Sequence, residues 1–231
     1  MADAQSAPAC SVTDALRMRR SVRSFTAEPV PDAVLETLLS TALLSPSGGN
    51  LQPWHVHAVA GAPLERLKQR MRDNAESGLI EAPGHDVYPP SLWDPYRSRR
   101  YENGEMMYAT IGVGRDNRPA RLQQLAENYQ LFGAPVGLFF AIERRMKESQ
   151  WADLGILMQS VMLLAVEQGL ATCPQAAWVN WPDTLRELLA LPDAMIVVAG
   201  MALGYEDIDH PINSLRTTRQ SLAEGVTFHR G

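Results

Sequence analysis

Arginines crowd together near the N-terminus, at Arg17, Arg19, Arg20 and Arg23. Guanidinium groups match the oxygens of a phosphate two at a time, and the intervening Ser21 hydroxyl offers a further donor. One interpretation is therefore an anion-binding site. Two others stay open at this point: solvated cations at the end of a helix, or contacts to nucleic-acid phosphates, although Phe25 is the only aromatic residue interleaved for base stacking.

A second candidate is the loop Ser45-Pro46-Ser47-Gly48-Gly49-Asn50-Leu51-Gln52-Pro53-Trp54. A helix end, a glycine turn and the start of a strand explain its prolines and glycines, but they do not explain Asn50 and Gln52. Two amides spaced two apart before a strand can point the same way. Their alternating donors and acceptors suit the edge of a flat heterocycle, and glycines allow the backbone to approach such a ring closely.

The elements that position these residues follow from hydrophobic spacing and capping signals. Ser11 and Asp14 predict the start of a short helix that ends near Arg19. A long segment, Trp151 to Gln168, is apolar nearly all round and requires burial on every side, which a subunit interface can supply. The other predicted helices are 31–43, 64–71, 96–111, 120–132 and 182–189, and the predicted strands are 54–59, 136–142 and 196–203. Few strands among many helices, without regular alternation, indicate an α+β fold.

Composition and charge restrict the classes of partner that the protein can bind. The chain has 231 residues and a formal charge of −5, which argues against nucleic acid or an anionic membrane as a partner. The longest apolar run, 194–204, is too short to span a bilayer. Cys10 and Cys173 form no metal spacing or disulfide framework, and His55 and His57 lack further ligands, so no metal site is expected. We expect a cytoplasmic protein with a flexible tail over residues 1–10 and one domain over 11–231.

Several motifs in order resemble those of the nitroreductase family. The segments Arg19-Arg20-Ser21-x-Arg23-x-Phe25 and Pro46-Ser47-x-x-Asn50-x-Gln52-Pro53-Trp54 are similar to that family's two N-terminal signatures. Later matches are Gly133-Ala134-Pro135, the stretch Glu167 to Gln175 that ends the central helix, Gly204-Tyr205, Asn213 and Arg216-Thr217-Thr218-Arg219. The likeness begins near residue 12 and continues to the C-terminus.

The resemblance implies a three-layer α/β/α sandwich with a mixed, mainly antiparallel sheet, in an intertwined homodimer that binds FMN at the subunit interface. It assigns flavin contacts to Arg19, Arg20, Ser21, Arg23, Pro46, Ser47, Asn50, Gln52, Pro174, Gln175, Ala176, Arg216, Thr217 and Arg219. One further contact, to the pyrimidine edge, falls to either Asn128 or Gln130. Asn50 and Gln52 would come from the partner subunit. Arg219, with Arg216 or Thr217, would close on the phosphate.

The resemblance also implies a reaction. NADH or NADPH would deliver hydride to the flavin, and a small aromatic acceptor such as a nitro compound or quinone would then take it, with no catalytic side chain required because the cofactor carries the chemistry. Residues 77–118, rich in aromatic residues and methionine, have two interpretations: a surface subdomain with a small core of its own, or a variable lid over the flavin that selects a flat substrate. Arg97, Arg99 and Arg100 could attract an acidic substrate. The alternative function is FMN binding for storage or sensing, without rapid turnover.

Overall fold

The computed structural model describes residues 10–230 and contains one four-stranded sheet. Its strands are β1 (Trp54–Ala60), β2 (Val136–Glu143), β3 (Ala171–Gln175) and β4 (Met195–Gly204), in the spatial order β1-β2-β4-β3. All three strand pairs are antiparallel. Within the described residues, parallel pairing is confined to an isolated bridge between Ser21 and Thr172. The expected α+β fold with a mainly antiparallel sheet is confirmed. The parallel part of the expected mixed sheet consists of this single bridge.

Helices cover both faces of the sheet. They are α1 (Val12–Met18), α2 (Asp32–Ala42), α3 (Gly61–Ser77), α4 (Tyr96–Thr110), α5 (Arg118–Ala126), α6 (Glu148–Glu167), α7 (Pro182–Leu188) and α8 (Leu222–Gly225). Because successive side chains of a strand point to opposite faces, Leu138 and Phe140 of β2 pack in the same cluster as α2 and α6. Phe139 and Ala141 pack instead with α3 and α7. Two apolar clusters on opposite faces of one sheet make the three-layer arrangement.

The local signals largely predict where elements begin. The Ser11 hydroxyl accepts a hydrogen bond from the Asp14 N–H at 3.1 Å and so caps α1 as expected. Pro31 precedes α2 as its N-cap residue, and the helix itself starts at Asp32. The helix expected over 120–132 is wrong in its second half, because α5 ends at Ala126 and a 3-10 segment follows over Glu127–Gly133. Leu131 and Phe132 are buried there with positive φ, which no helix allows.

Strand β3 has no counterpart among the sequence predictions. Gly169 ends α6 with φ 70°, and the chain then pairs with β4 from Ala171 to Gln175. The sequence pattern did not predict this strand because it contains Pro174, and proline lacks the N–H that a strand donates to its neighbour. Proline is tolerated here since β3 is the last strand in the sheet order, and on its outer side, among the described residues, it pairs only at the isolated bridge from Ser21 to Thr172.

Helix α6 is long and apolar enough, by length and composition, to cross a membrane. In this fold it packs against the sheet through the buried residues Leu154, Leu157 and Val161. Within one chain, however, only 28% of the residues in its most apolar stretch are buried. An apolar face of α6 therefore faces outward. The tail predicted over residues 1–10 lies outside the described residues, except for Cys10.

Candidate functional site

The two ends of the chain enclose a cavity of about 500 Å³. Its walls come from α1 and the segment after it, from α4, and from the C-terminal segment: Leu16, Arg17, Met18, Arg19, Arg20, Ser21, Arg23, Asn103, Leu215, Arg216, Thr217 and Arg219. Within the described part of the chain, its lining includes six arginines and no acidic residue. We call it the arginine cavity. It brings together both predicted basic segments, far apart in sequence.

A buried asparagine holds these segments in place. The Asn213 side chain, 4% exposed, accepts a hydrogen bond from the Arg23 N–H at 2.8 Å and donates to the Ser24 and Asp207 carbonyls, each at 2.8 Å. The Val22 N–H donates to the Thr172 carbonyl at 3.0 Å. The arginine segment is thus fixed to β3 on one side and to the C-terminal segment on the other.

The charges in the cavity are incompletely compensated. Arg19 and Arg219, which are far apart in sequence, line the same cavity, and burial, followed by repulsion from Arg219, lowers the pKa of Arg19. Arg219 is held by its own segment, where it donates to the Thr217 hydroxyl at 2.6 Å. Like charges brought together at a partly buried site favour binding of an anion, because the anion relieves their repulsion.

Arg20 differs from its neighbours because it already has an acidic partner. Its guanidinium group donates to the Glu206 carboxylate, which the sequence did not single out. Both side chains are partly buried, and Arg20 Nε and Glu206 Oε1 lack other partners among the described residues. The predicted contact of Arg20 to a cofactor stays a prediction, but its charge contributes less to anion binding than those of Arg19 and Arg219.

The glycine loop lies outside the arginine cavity of its own chain. The φ angles of Gly49, Asn50 and Gln52 are 58°, 54° and 47°, which is the left-handed conformation. Residues other than glycine adopt it rarely, and those that do are often found at functional sites. Ser47 stabilises the turn by accepting the Gln52 N–H at its hydroxyl, 2.9 Å away. Asn50 and Gln52 are exposed. Within one chain, the structure does not bring Pro46, Ser47, Asn50 or Gln52 to the arginines.

The segment Pro174 to Ala176 lies at the end of β3. Of the two candidates for the pyrimidine edge, Asn128 and Gln130, the structure puts only one beside this segment. Gln175 is 2% exposed; its Nε2 donates to the Asn128 carbonyl at 2.6 Å, and its Oε1 accepts from Trp178 at 3.2 Å. Asn128 therefore lies beside this segment. Gln130 instead bonds to Arg72 at 2.6 Å, on α3. Because the Gln175 side chain is fully engaged, only its backbone remains for a ligand.

The proposed lid segment places its cations in different environments. Arg97 pairs with Asp94 at 2.6 Å, and Arg100 stacks over the Tyr88 ring at 4.5 Å. Arg99 lines a cavity of about 350 Å³ that shares residues with the arginine cavity. Asn103 lines both cavities, yet nothing in the sequence marked it, since only the position of α4 brings it there.

The sequence analysis also singled out Cys173 and the two histidines of β1. Burial raises the pKa of the Cys173 thiol to about 11, in agreement with its interpretation as a small buried residue. His55 and His57 share β1, but the described residues contain no group of three or more histidine, cysteine or acidic side chains that could hold a metal ion.

Comparison with known proteins agrees with the motifs and the fold. The sequence profile described as "Nitroreductase family" matches residues 16–205. The chain is 33% identical to 4-nitrobenzoate reductase of Pseudomonas putida, over 92% of each chain, and 36% identical to 4-nitrobenzoate reductase of Nocardioides sp. (strain LMS-CY), over 96% of this chain and 91% of the other.

The fold is similar to a crystal structure of the FMN and NADPH-dependent nitroreductase NfnB from sphigopyxis sp. strain HMH. The TM-score is 0.92 and the identity is 41%, over 96% of this chain and 100% of the other. The chain belongs to the nitroreductase family, as these similarities show together with the motifs and the three-layer fold of the chain itself.

Proposed function

We propose that this protein is an FMN-dependent oxidoreductase that uses NADH or NADPH to reduce a small aromatic acceptor, with nitroaromatic compounds as the first class to test. The arginine cavity carries the proposal, because its uncompensated guanidinium groups suit the phosphate of FMN. The relatives support it: two are named 4-nitrobenzoate reductase, and a solved relative is described as FMN and NADPH-dependent.

The residues present fit the parts of the cofactor. Arg19 and Arg219 would hold the phosphate, with Arg216, Thr217 and Ser21 beside them. When bound, FMN accepts a hydride from the reduced nicotinamide and passes it to the acceptor. Arg23, fixed by its N–H bond to Asn213, would supply a positive charge that favours negative charge on the reduced ring. The backbone from Pro174 to Ala176 and the nearby Asn128 would contact the ring.

A homodimer is part of the proposal, because Asn50 and Gln52 can reach a flavin only from a second subunit if the cofactor fills the arginine cavity. The support is a set of exposed apolar side chains on α1, on α6 and beside the glycine loop: Leu16, Met18, Leu44, Leu51 and Ile156. Helix α6 contacts both α1 and α2, so these side chains belong to neighbouring elements. Apolar side chains exposed together commonly mark a subunit interface.

The cytoplasmic location remains a proposal as well. Cys10 and Cys173 are both free thiols, which suits a reducing compartment.

The test is an anaerobic half-reaction. Purified protein loaded with FMN is mixed with NADPH or NADH, and we expect the oxidised-flavin absorbance to bleach rapidly and to return when 4-nitrobenzoate or nitrobenzene is added. A flavin that stays oxidised over minutes with both nucleotides would favour the alternative, FMN storage or sensing. The named relatives are reductases, so that alternative is not favoured.

A further inference from the structure

A buried carboxylate lies directly beneath the glycine loop. Asp153, on the second turn of α6, is 7% exposed although aspartate is rarely buried. Its Oδ1 accepts a hydrogen bond from the Gly48 N–H at 3.1 Å. Its Oδ2 is buried and has no partner among the described residues. Burying a charged group with so few hydrogen bonds is costly, so the bond to Gly48 requires an explanation beyond packing.

The loop that Asp153 holds is in a strained conformation. Asn50 and Gln52, which the proposed function places against the flavin of the partner subunit, both have positive φ. Such conformations are unfavourable for residues other than glycine and persist only when the surrounding structure holds them. Inside the loop, Ser47 accepts the N–H groups of Asn50 and Gln52 at 2.9 Å each. Those bonds close the turn but do not attach it to the rest of the protein.

Two side-chain bonds attach the loop and the residues just before it to α6. One joins Gly48 to Asp153, and the other runs from the Ser45 hydroxyl to the Ser160 hydroxyl at 2.7 Å. They differ in importance, since the single Ser45 hydroxyl proton has two alternative acceptors at 2.7 Å, the Ser160 hydroxyl and the Ala42 carbonyl, and keeps the second if Ser160 is lost. Over residues 10–230, the Gly48 N–H has Asp153 as its one hydrogen-bond partner, and Gly48 begins the turn that carries Asn50.

We propose that Asp153 is a positioning residue for the cofactor site: through Gly48 it fixes the turn that presents Asn50 and Gln52 to the flavin. This inference rests on the proposed function for its effect on FMN, whereas its effect on the loop is independent of any ligand. Asp153 itself does not contact the cofactor, and it acts through the backbone of the loop.

The experiment compares variants of the full-length protein by two measurements: backbone hydrogen exchange over residues 47–52 without FMN, and the FMN dissociation constant from quenching of flavin fluorescence. Asp153→Ala is expected to speed exchange in the loop and to raise the dissociation constant about tenfold or more, the effect of losing a hydrogen bond to a charged group. Asp153→Asn keeps the Oδ1 acceptor and should stay near the wild type. Ser160→Ala is the matched control on the same helix and should change neither quantity.

Gly48→Pro cuts the same bond from the other side and serves if Asp153→Ala does not fold. Ser47 has φ −144° and ψ 154°, the extended conformation required before proline, and proline removes the N–H while Asp153 stays. We expect the losses seen with Asp153→Ala. In an Asn50→Ala/Gln52→Ala background, Asp153→Ala should add little further loss of FMN affinity, because all three changes act on the same contacts.

Unchanged exchange across residues 47–52 in Asp153→Ala and Gly48→Pro would overturn the inference, whether or not FMN binds. Faster exchange with unchanged FMN affinity, or full additivity with the Asn50→Ala/Gln52→Ala double change, would also overturn it. A wild-type protein that binds no FMN would contradict the proposed function instead, and loop exchange would still decide the role of Asp153.

Discussion

At the scale of single residues, the site depends on cations that the fold leaves partly uncompensated. Arg20 is paired with Glu206, whereas Arg19 and Arg219 line the same cavity and form no salt bridge with any other residue that the structure describes. Burial, followed by repulsion from Arg219, lowers the pKa of Arg19. A phosphate dianion would relieve the repulsion and accept hydrogen bonds from both guanidinium groups. The arginines that matter most for the cofactor are therefore the unpaired ones.

We expect Arg219→Ala to weaken FMN binding about tenfold to a hundredfold, the loss of one charged hydrogen bond, and to leave riboflavin binding nearly unchanged because riboflavin has no phosphate. Titration of each flavin by fluorescence measures both constants. Arg145→Ala removes an exposed arginine that pairs with Glu143 and is the control. Equal losses for FMN and riboflavin would contradict a phosphate contact at Arg219.

At the scale of elements, close packing at the end of the sheet fixes the backbone near Pro174. Trp178 is fully buried, lies in the turn after β3 and donates to Gln175. Its indole lies against Gly200 of β4, where an added Cβ would be 2.7 Å from Trp178 Nε1. Glycine at position 200 therefore lets the indole approach the strand and hold the segment Pro174 to Ala176.

Gly200→Ala is expected to destabilise the protein by about 1–3 kcal/mol through overpacking, measured by denaturant unfolding. Gly104→Ala, in α4, is the matched control: nothing lies within 4 Å of its added Cβ, and alanine is the better helix former. An unfolding free energy for Gly200→Ala equal to that of the wild type would show that Trp178 can move away without cost.

Strand β1 carries a pH-dependent contribution to stability. Burial, followed by the charge of His55, lowers the pKa of His57 in the folded state. The unfolded chain therefore binds more protons between this lowered pKa and the ordinary histidine value of about 6.5. Stability should be constant above this window and fall as the pH drops through it. Unfolding measured between pH 8 and 5 should show the fall in the wild type and a shallower one in His57→Gln; identical slopes would exclude His57 as its source.

At the scale of the whole molecule, one chain supplies only part of the proposed site. The arginine cavity, Asn128 and the Pro174 segment belong to a single chain, whereas Asn50 and Gln52 stand on an exposed loop outside that cavity. The same side of the molecule exposes apolar residues of α6, including Ile156 at 43%. A second copy that covers this face would bury the apolar side chains and complete the site together.

Ile156→Glu is expected to shift the protein from dimer to monomer, because a buried carboxylate without a partner is costly, and to weaken FMN binding in parallel. Analytical ultracentrifugation and flavin titration measure the two effects. Leu122→Glu changes an exposed apolar residue of α5, outside the proposed interface, and should alter neither. A monomeric wild type that binds FMN fully would contradict the role of the partner's loop.

The sequence by itself determined the fold class, most helix starts, the two buried strands and both basic segments, because capping, hydrophobic spacing and charge clusters are local properties of the chain. The tertiary structure alone decided the rest. It showed β3, which the sequence analysis did not predict because of Pro174, and it put Asn128 beside Gln175 and Gln130 beside Arg72. It also paired Arg20 with Glu206, placed Asn103 in the wall of the arginine cavity and placed Asp153 beneath the glycine loop. Each of these depends on contacts between residues far apart in sequence, which folding creates and no local pattern encodes.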